Sequence, residues 1–566
     1  MWVVLSISPS GWEDRARWVL RQTLHRIGLG TLRKGPAGEP FLAVVYGDPP
    51  SDLPAGTPRV ILPRRASPPE TYIPGRPERF DLPGGGECLA FPPLLDPGEG
   101  EPVLRDRSGR PLAVRSGDRP GEVRFAYDPV APALFLLSRA EERAGGRDEH
   151  DRFRPEESWA VREGLLGEPV TDLLGDAIRS GIEAALAASA AAALRIHPWP
   201  EGERFAVAIT HDQDLAVRWP RRLARHASSS LLGKGPGRAA SIRRFARDLR
   251  EGAVPPTLYS ERIRDAEERR GLCSTFFFLA EKKDRLDVRY DVSSPPFRRF
   301  LRSLAERGFA VGLHGGLDSY LSAERLARER AVVSEAADRE AVGVRQHYLR
   351  LRLPETWIAQ AEAGFHYDAS LGYPDHPGFR AGTCFPFEPP DWERPLAIPL
   401  LGMDRALLRA GVVTPPDWEE WSGPVRRAGG LASVLFHPYA VDPDRGDAGD
   451  RAFEGLLDWA ASRKGEAWVA TLDEAADWWR TRRFVSLLAA RREGAETRLR
   501  YRFGVPFRAL TLTPLPRRSD TRIEEASGGR AEIRVVDGCS AVLLRDFEAG
   551  GELVVAVRPR PEGSER

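Results

Sequence analysis

The chain has 566 residues, too many for one ordinary hydrophobic core, so roughly two to four domains are expected. Its 83 basic and 82 acidic side chains leave a formal net charge of +1, which offers no field for recruiting nucleic acid or acidic lipid. The cysteines Cys88, Cys273, Cys384 and Cys539 lie far apart with no Cys-x-x-Cys pair, which argues against a disulfide framework or a thiolate zinc site.

In chain order, residues 2–7 read as a strand and 12–27 as an amphipathic helix. A Pro- and Gly-rich stretch follows, with short apolar runs such as 41–46, so residues 1–125 are expected to form an α/β module. The start lacks the basic and then long apolar pattern of a signal peptide. The most apolar stretch, 182–194, is short and bounded by Arg179 and Arg195, so a soluble, cytoplasmic protein is expected. Residues 126–200 read as a helical brace: a packed helix at 130–142, the charged run RDEHDRFRPEES, and a long Ala-rich helix over 171–195.

From Phe205 to Arg483 strands and helices alternate. Candidate strands are 205–210, 274–279, 310–313, 343–347, 396–399, 433–436 and 467–471, with amphipathic helices at 297–307, 323–339 and 355–363 among them. Repeated strand–helix units imply a parallel sheet, open or closed into a barrel, over residues 201–483. Residues 484–566 turn strand-rich and fit a small C-terminal β-sandwich.

The candidate strands end in unusual polar residues. The first runs into Thr210-His211-Asp212-Gln213-Asp214. In an extended segment Asp212 and Asp214 point to the same side, and two carboxylates held that close call for a cation or a shared proton. A polar turn is the plainer reading. Later strands end in His314-Gly315-Gly316-Leu317-Asp318, Arg345-Gln346-His347-Tyr348 and His437-Pro438. The chain has only 10 histidines, and four of them (His211, His314, His347, His437) fall at this one edge. Aspartate and neutral imidazole together suit zinc or a similar divalent ion with a position left open for water.

In this order the motifs resemble those of the polysaccharide deacetylases, the NodB-like carbohydrate esterases of family four. That family uses a distorted (β/α) barrel of about seven strands. Its first motif is Thr-Phe-Asp-Asp; here one residue separates the carboxylates, as in a divergent bacterial branch with Thr-His-Asp-x-Asp and an N-terminal α/β module. The same branch carries blocks like 274–279 (STFFFL), 345–350 (RQHYLR) and 378–383 (GFRAGT). The resemblance spans roughly residues 1–480 and is specific for family, not for substrate.

The resemblance implies a role for each matching residue. Asp212 corresponds to the general base, Asp214 and His314 to metal ligands, and Arg345 to the arginine that orients the base. His437 corresponds to the general acid, a role suited to a group that titrates near neutral pH. The family's second motif histidine is replaced by Asp318. The third ligand is therefore either Asp318 or His347, with the divergent branch favouring His347 and a helix N-cap an equal account of Asp318. His211 is a partner of the site or strand-end packing. Tyr348, Trp357, Phe385 and Trp392 either line a sugar groove or belong to the core.

The activity implied is hydrolysis of a linear amide C–N bond, removing N-acetyl groups from a sugar or polysaccharide. The cofactor implied is a divalent metal ion, zinc first, with cobalt, nickel or manganese as alternatives. The missing second histidine prompts a rival reading, a catalytically silent glycan-binding or scaffold relative. A hydrolase of a non-sugar C–N amide bond is the third. Presence of Asp212, Asp214, His314, Arg345 and His437 together favours catalysis.

Overall fold

The computed structural model describes residues 2–7, 13–32, 42–64 without 52 and 55, 72–215 without 84, 242, 246, 257–280, 290–390, 395–441 and 448–560. The central element is a parallel sheet of β1 (Phe205–Gln213), β2 (Thr275–Leu279), β3 (Ala310–Gly315), β4 (Gly343–Gln346), β5 (Tyr367–Asp368), β6 (Leu396–Ala397), β7 (Gly402–Met403), β8 (Leu431–Leu435) and β9 (Ala467–Val469). The strand order is β6-β5-β4-β3-β2-β1-β8-β7, with β9 beside the start of β1. β1 is paired along both edges, and all of it is buried, which is why its sequence reads as a nearly unbroken apolar run until the polar end.

The sheet cannot be flat. Laid out at a spacing of about 4.8 Å, its outer strands β6 and β7 would lie about 34 Å apart. Residues 398–401 alone join them, and that link reaches at most about 18 Å. The sheet therefore curls until its edges approach. The link runs through the gap, with Ile398 N–H donating to Asp368 O at 2.8 Å and Leu401 N–H to Ser433 O at 3.0 Å. Amphipathic helices such as Pro295–Glu306 and Ala323–Ala337 pack outside it.

Two differences from the sequence expectation bear on the site. β1 continues through Gln213 instead of ending at Thr210, so Asp212 lies within the strand and Asp214 directly follows it. β4 stops at Gln346, and His347 opens a tight turn, because Tyr348 and Leu349 adopt φ of 62° and 56°, outside the extended region.

In the N-terminal part, strands at Gly30–Leu32, Trp2–Ile7, Leu42–Tyr46, Arg59–Leu62 and Glu122–Phe125 run parallel in that order, and Pro111–Ser116 and Gly100–Arg105 extend the sheet antiparallel. The packed helix expected over 130–142 ends at Leu137 and gives way to a 3-10 turn at Ala140–Arg143. The Ala-rich helix occupies Val170–Ala188, shorter than its expected reach to 195. Ala190 then takes φ of 48°, and Ala193–Ile196 becomes a strand paired antiparallel with Phe507–Leu515. The C-terminal region holds two four-stranded antiparallel sheets, one of which includes that strand. One apolar cluster runs from the N-terminal helices through 191–196 into the C-terminal strands, and a second fills the curled sheet. Among the described residues, no helix is long and apolar enough to cross a membrane.

Candidate metal centre

The carboxyl ends of β1, β3, β4 and β8 converge. At the end of β1 the Asp214 N–H donates to Asp212 O at 3.1 Å, a tight turn that closes the strand with both carboxylates on one side. Gln213 points the other way: its Nε2 donates to Leu215 O at 2.6 Å and its Oε1 accepts from Ser260 Oγ. His211 also faces away from the aspartates. Its Nδ1 bonds Phe436 O at 2.7 Å and its Nε2 meets Glu267 Oε1 at 2.9 Å, with both side chains fully buried. It is a packing residue of the strand.

Asp214 sits among three imidazoles. Its Oδ1 is 3.3 Å from His314 Nε2 and 3.8 Å from His347 Nε2, and its Oδ2 is 3.6 Å from His437 Nε2. Ligand atoms of Asp214, His314 and His347 all lie within 4.8 Å of one another. His314 Nδ1 contacts the Arg345 carbonyl at 2.8 Å. A carbonyl only accepts, so Nδ1 carries a proton and Nε2 is the ring atom that faces the carboxylate. The buried Asp214 Oδ1 has no hydrogen-bond partner, although two imidazole nitrogens lie close to it. An oxygen and two imidazole nitrogens so arranged fit a borderline divalent cation, with the carbonyl holding one ring in register. Gly315 permits this approach: a Cβ there would lie 2.3 Å from the Gln346 side chain on the neighbouring strand.

The other two motif residues form separate pairs. Arg345, fully buried over the Phe277 ring at 4.7 Å, donates Nη1 to Asp212 Oδ1 at 3.0 Å and to Thr210 Oγ1 at 2.7 Å, and Nε to Ala369 O at 2.9 Å. Asp212 is thereby fixed by one oxygen while its Oδ2 stays 3.9 Å from His314 Nε2. His437 is held from behind by Asp404, whose Oδ2 takes both its backbone N–H at 2.8 Å and its Nδ1 at 2.9 Å. Asp404 follows the two-residue strand β7, and nothing in its sequence context marks it.

These neighbours set the protonation states. Burial pushes the Asp214 carboxyl up, but contact with His314 and the charges of His437 and His347 hold it at about 2. Burial works against a proton on His437, yet Asp404 and then Asp214 raise it to about 10. Asp404 is drawn below the ordinary carboxylate range by the same contact, against its own burial.

Asp318 is not brought to this cluster. Its side chain is 63% exposed and meets Arg350 Nη1 at 3.4 Å. Residues 316–319 form a turn, and the following helix starts at Ala323 with Ser322, not Asp318, as its cap, so the four-residue spacing from His314 does not align the two side chains. Trp357 and Phe385 are core: Trp357 donates to Asp368 at 3.3 Å, and Phe385 stacks on Trp199. Trp392 lies outside the described residues.

Tyr348 remains beside the site, with its ring 4.5 Å from that of His347. Its other neighbour comes from the charged run before the barrel. Residues 147–153 form a small loop closed by a bridge between Arg147 and Phe153, and the His150 ring lies 4.5 Å from Tyr348. Asp151 anchors that loop through Tyr320 Oη at 2.5 Å and Arg352 Nη2 at 2.7 Å, and Arg147 donates to Leu351 O at 3.0 Å. The rings of His314, His347, Tyr348 and His150 thus follow one another at 4.9, 4.5 and 4.5 Å.

A family model described as a family of unknown function (DUF7033) matches residues 104–186, which include this loop. No curated protein matches the chain. Similar solved structures include a provisionally named polysaccharide deacetylase from Mycobacterium smegmatis, 20% identical over 52% of this chain and 96% of that one, with a TM-score of 0.30. A mutant of a CE4 family pseudoenzyme with restored enzymatic activity is 12% identical over 50% and 69%, with a TM-score of 0.27. The peptidoglycan deacetylase PdaC from Bacillus subtilis is 14% identical over 50% and 94%, with a TM-score of 0.24. The overlap is low throughout, so the reading of the site rests on its own residues.

Proposed function

We propose that this chain is a metal-dependent hydrolase that removes N-acetyl groups from a sugar or polysaccharide. The observation that carries the reading is the sorting of two carboxylates on one strand: Asp214 among His314, His347 and His437, and Asp212 against Arg345. Asp214, His314 and His347 would hold the cation, with zinc the first choice for an oxygen and two imidazoles. A bound divalent ion supplies Lewis-acid polarisation of the acyl oxygen and lowers the pKa of water toward about 7.

The remaining steps belong to the protein. Asp212 takes the proton of the attacking water through its Oδ2, while Arg345 fixes the other oxygen. His437, kept protonated by Asp404, gives its proton to the leaving nitrogen. The N-acetyl sugar as substrate rests on the motif resemblance.

The test pairs metal content with acetate release from N-acetylglucosamine oligomers. Asp214→Asn is expected to lose both. Asp212→Asn is expected to keep the metal and lose about 10²–10⁴ in kcat. Wild-type protein that takes up no divalent ion, or turnover unchanged in Asp214→Asn, would sink the proposal.

A further inference from the structure

A second built site lies away from the metal centre, where the N-terminal helices, the strand before the barrel, the barrel and the C-terminal sheets meet. It is a cavity of about 130 Å³ walled largely by guanidinium groups. Arg26 and Arg179 come from the two N-terminal helices, Arg195 from the strand Ala193–Ile196, Arg426 and Arg427 from a short barrel helix, and Arg517 from the C-terminal region. Arg204 adds a seventh guanidinium, and only Asp176 and Asp537 line the same space with negative charge.

Those two carboxylates are already engaged. Asp176 takes Arg26 at 2.7 Å and Arg179 at 3.4 Å, and Asp537 lies 3.9 Å from Arg204. Arg426 is paired outside the cavity with Glu419 and Glu466. Among the described residues, Arg195, Arg427 and Arg517 make no ion pair. His197 lines the cavity while only 3% exposed, and its Nδ1 has no hydrogen-bond partner; nor do the Nε atoms of Arg26 and Arg426. Just behind, the fully buried Arg482 lies over the Trp479 ring at 4.4 Å and donates only to carbonyls, His25 O at 3.0 Å and Ile196 O at 3.4 Å, leaving Nε and Nη1 without hydrogen-bond partners.

Against its burial, Arg26 is raised by Asp176 and Asp172, but the surplus of positive charge shows around Arg195. Burial and the Arg179 and Arg517 charges press Arg195 down to about 10, against the pull of Glu183 and Asp537. Burial and Arg195 press Arg482 down to about 9, and the same two causes bring His197 to about 3. Cations crowded out of water with orphaned donors are unfavourable unless an anion joins them. Guanidinium forks arriving from several directions match the oxygens of a tetrahedral dianion better than one planar carboxylate. The volume admits such a head group and excludes a polymer chain.

We propose that this cavity binds a phosphate-type dianion, either free phosphate or the phosphomonoester of a sugar, and that the bound anion ties together the parts of the chain that line it. None of the metal-centre residues lines it, so it stands or falls apart from the hydrolase reading.

The test is calorimetry and thermal denaturation of the full chain in chloride buffer at fixed ionic strength, titrated with sodium phosphate, a hexose 6-phosphate or the plain hexose. Phosphate and the hexose phosphate are expected to bind and raise Tm saturably, with no effect of the hexose. Tighter binding of the hexose phosphate would identify a phosphomonoester as the ligand, and equal binding free phosphate. Arg517→Gln, at an exposed position that folding tolerates, and Arg195→Gln are each expected to weaken binding about tenfold or more. Arg107→Gln, a surface change elsewhere, is expected to leave it intact. Absence of saturable binding, or equal affinity in wild type, Arg517→Gln and Arg195→Gln, overturns the proposal, as does equal loss in Arg107→Gln.

Discussion

Glu142 offers a quantitative test of how the segment before the barrel is fastened to the site. Its Oε1 accepts from Arg139 Nε at 2.8 Å and Arg380 Nε at 2.9 Å, and its Oε2 from Arg380 Nη2 at 2.8 Å. The side chains of Glu142, Arg139 and Arg380 are 0%, 0% and 2% exposed. Burial pushes the Glu142 carboxyl up, but Arg380 and Arg139 draw it from 4.5 down to about 2. A depressed carboxylate contributes stability that is complete above its unfolded value and lost as pH falls through the folded one. The drop corresponds to about 3 kcal/mol at neutral pH, about half of it remaining at pH 3. Removing one member of a buried ion pair independently predicts about 3–5 kcal/mol. Glu142→Gln is therefore expected to lower stability by about 3 kcal/mol at pH 7, with the gap from wild type roughly halved at pH 3. Urea denaturation followed by tryptophan fluorescence at both pH values measures it. A gap under about 1 kcal/mol at pH 7, or one unchanged at pH 3, refutes the reasoning.

Other perturbations separate the roles assigned at the metal centre. Asp404→Asn is expected to keep the metal but lower kcat by about 10²–10⁴, since His437 loses the carboxylate that orients it and keeps it protonated; an unaltered kcat removes Asp404 from the mechanism. His347→Ala should abolish stoichiometric zinc while Asp318→Ala retains it, as read by metal analysis after dialysis, and the opposite pattern would restore Asp318 as the ligand. Treatment with a chelator should stop acetate release and added zinc should restore it. His150→Ala is expected to raise KM for oligomers with little change in kcat, because its ring packs on Tyr348 and not on the reacting atoms; an unchanged KM detaches the loop from substrate binding.

Much of the curled sheet was legible because central parallel strands are buried on both faces and read as apolar runs. What escaped the sequence has physical reasons. The strand Gly402–Met403 is two residues long, too short for any periodicity, so Asp404 behind His437 carried no signal. The run RDEHDRF read only as a charged segment of the helical brace, yet Asp151 bonds Tyr320 and Arg352, which are 169 and 201 residues away. Local pattern says nothing of contacts at such separations. Asp318 stands where the resemblance puts a second histidine, but a turn intervenes before Ser322 caps the helix, so its side chain is carried away from His314.

The inserted Gln213 shows how local geometry can assign chemistry. Because β1 stays extended through it, the insertion carries Asp214 to the same face as Asp212, with Gln213 turned away toward Ser260. The two carboxylates then differ only in what meets them: a guanidinium fixes one oxygen of Asp212, whereas Asp214 receives three imidazoles. An arginine stabilises a carboxylate without binding a metal, and imidazoles are themselves ligands, so base and ligand separate by neighbour and not by residue type. Exchange of the two roles would require Arg345 to leave Asp212. Its three hydrogen bonds, to Ala369, Thr210 and Asp212, and its packing on Phe277 hold it there.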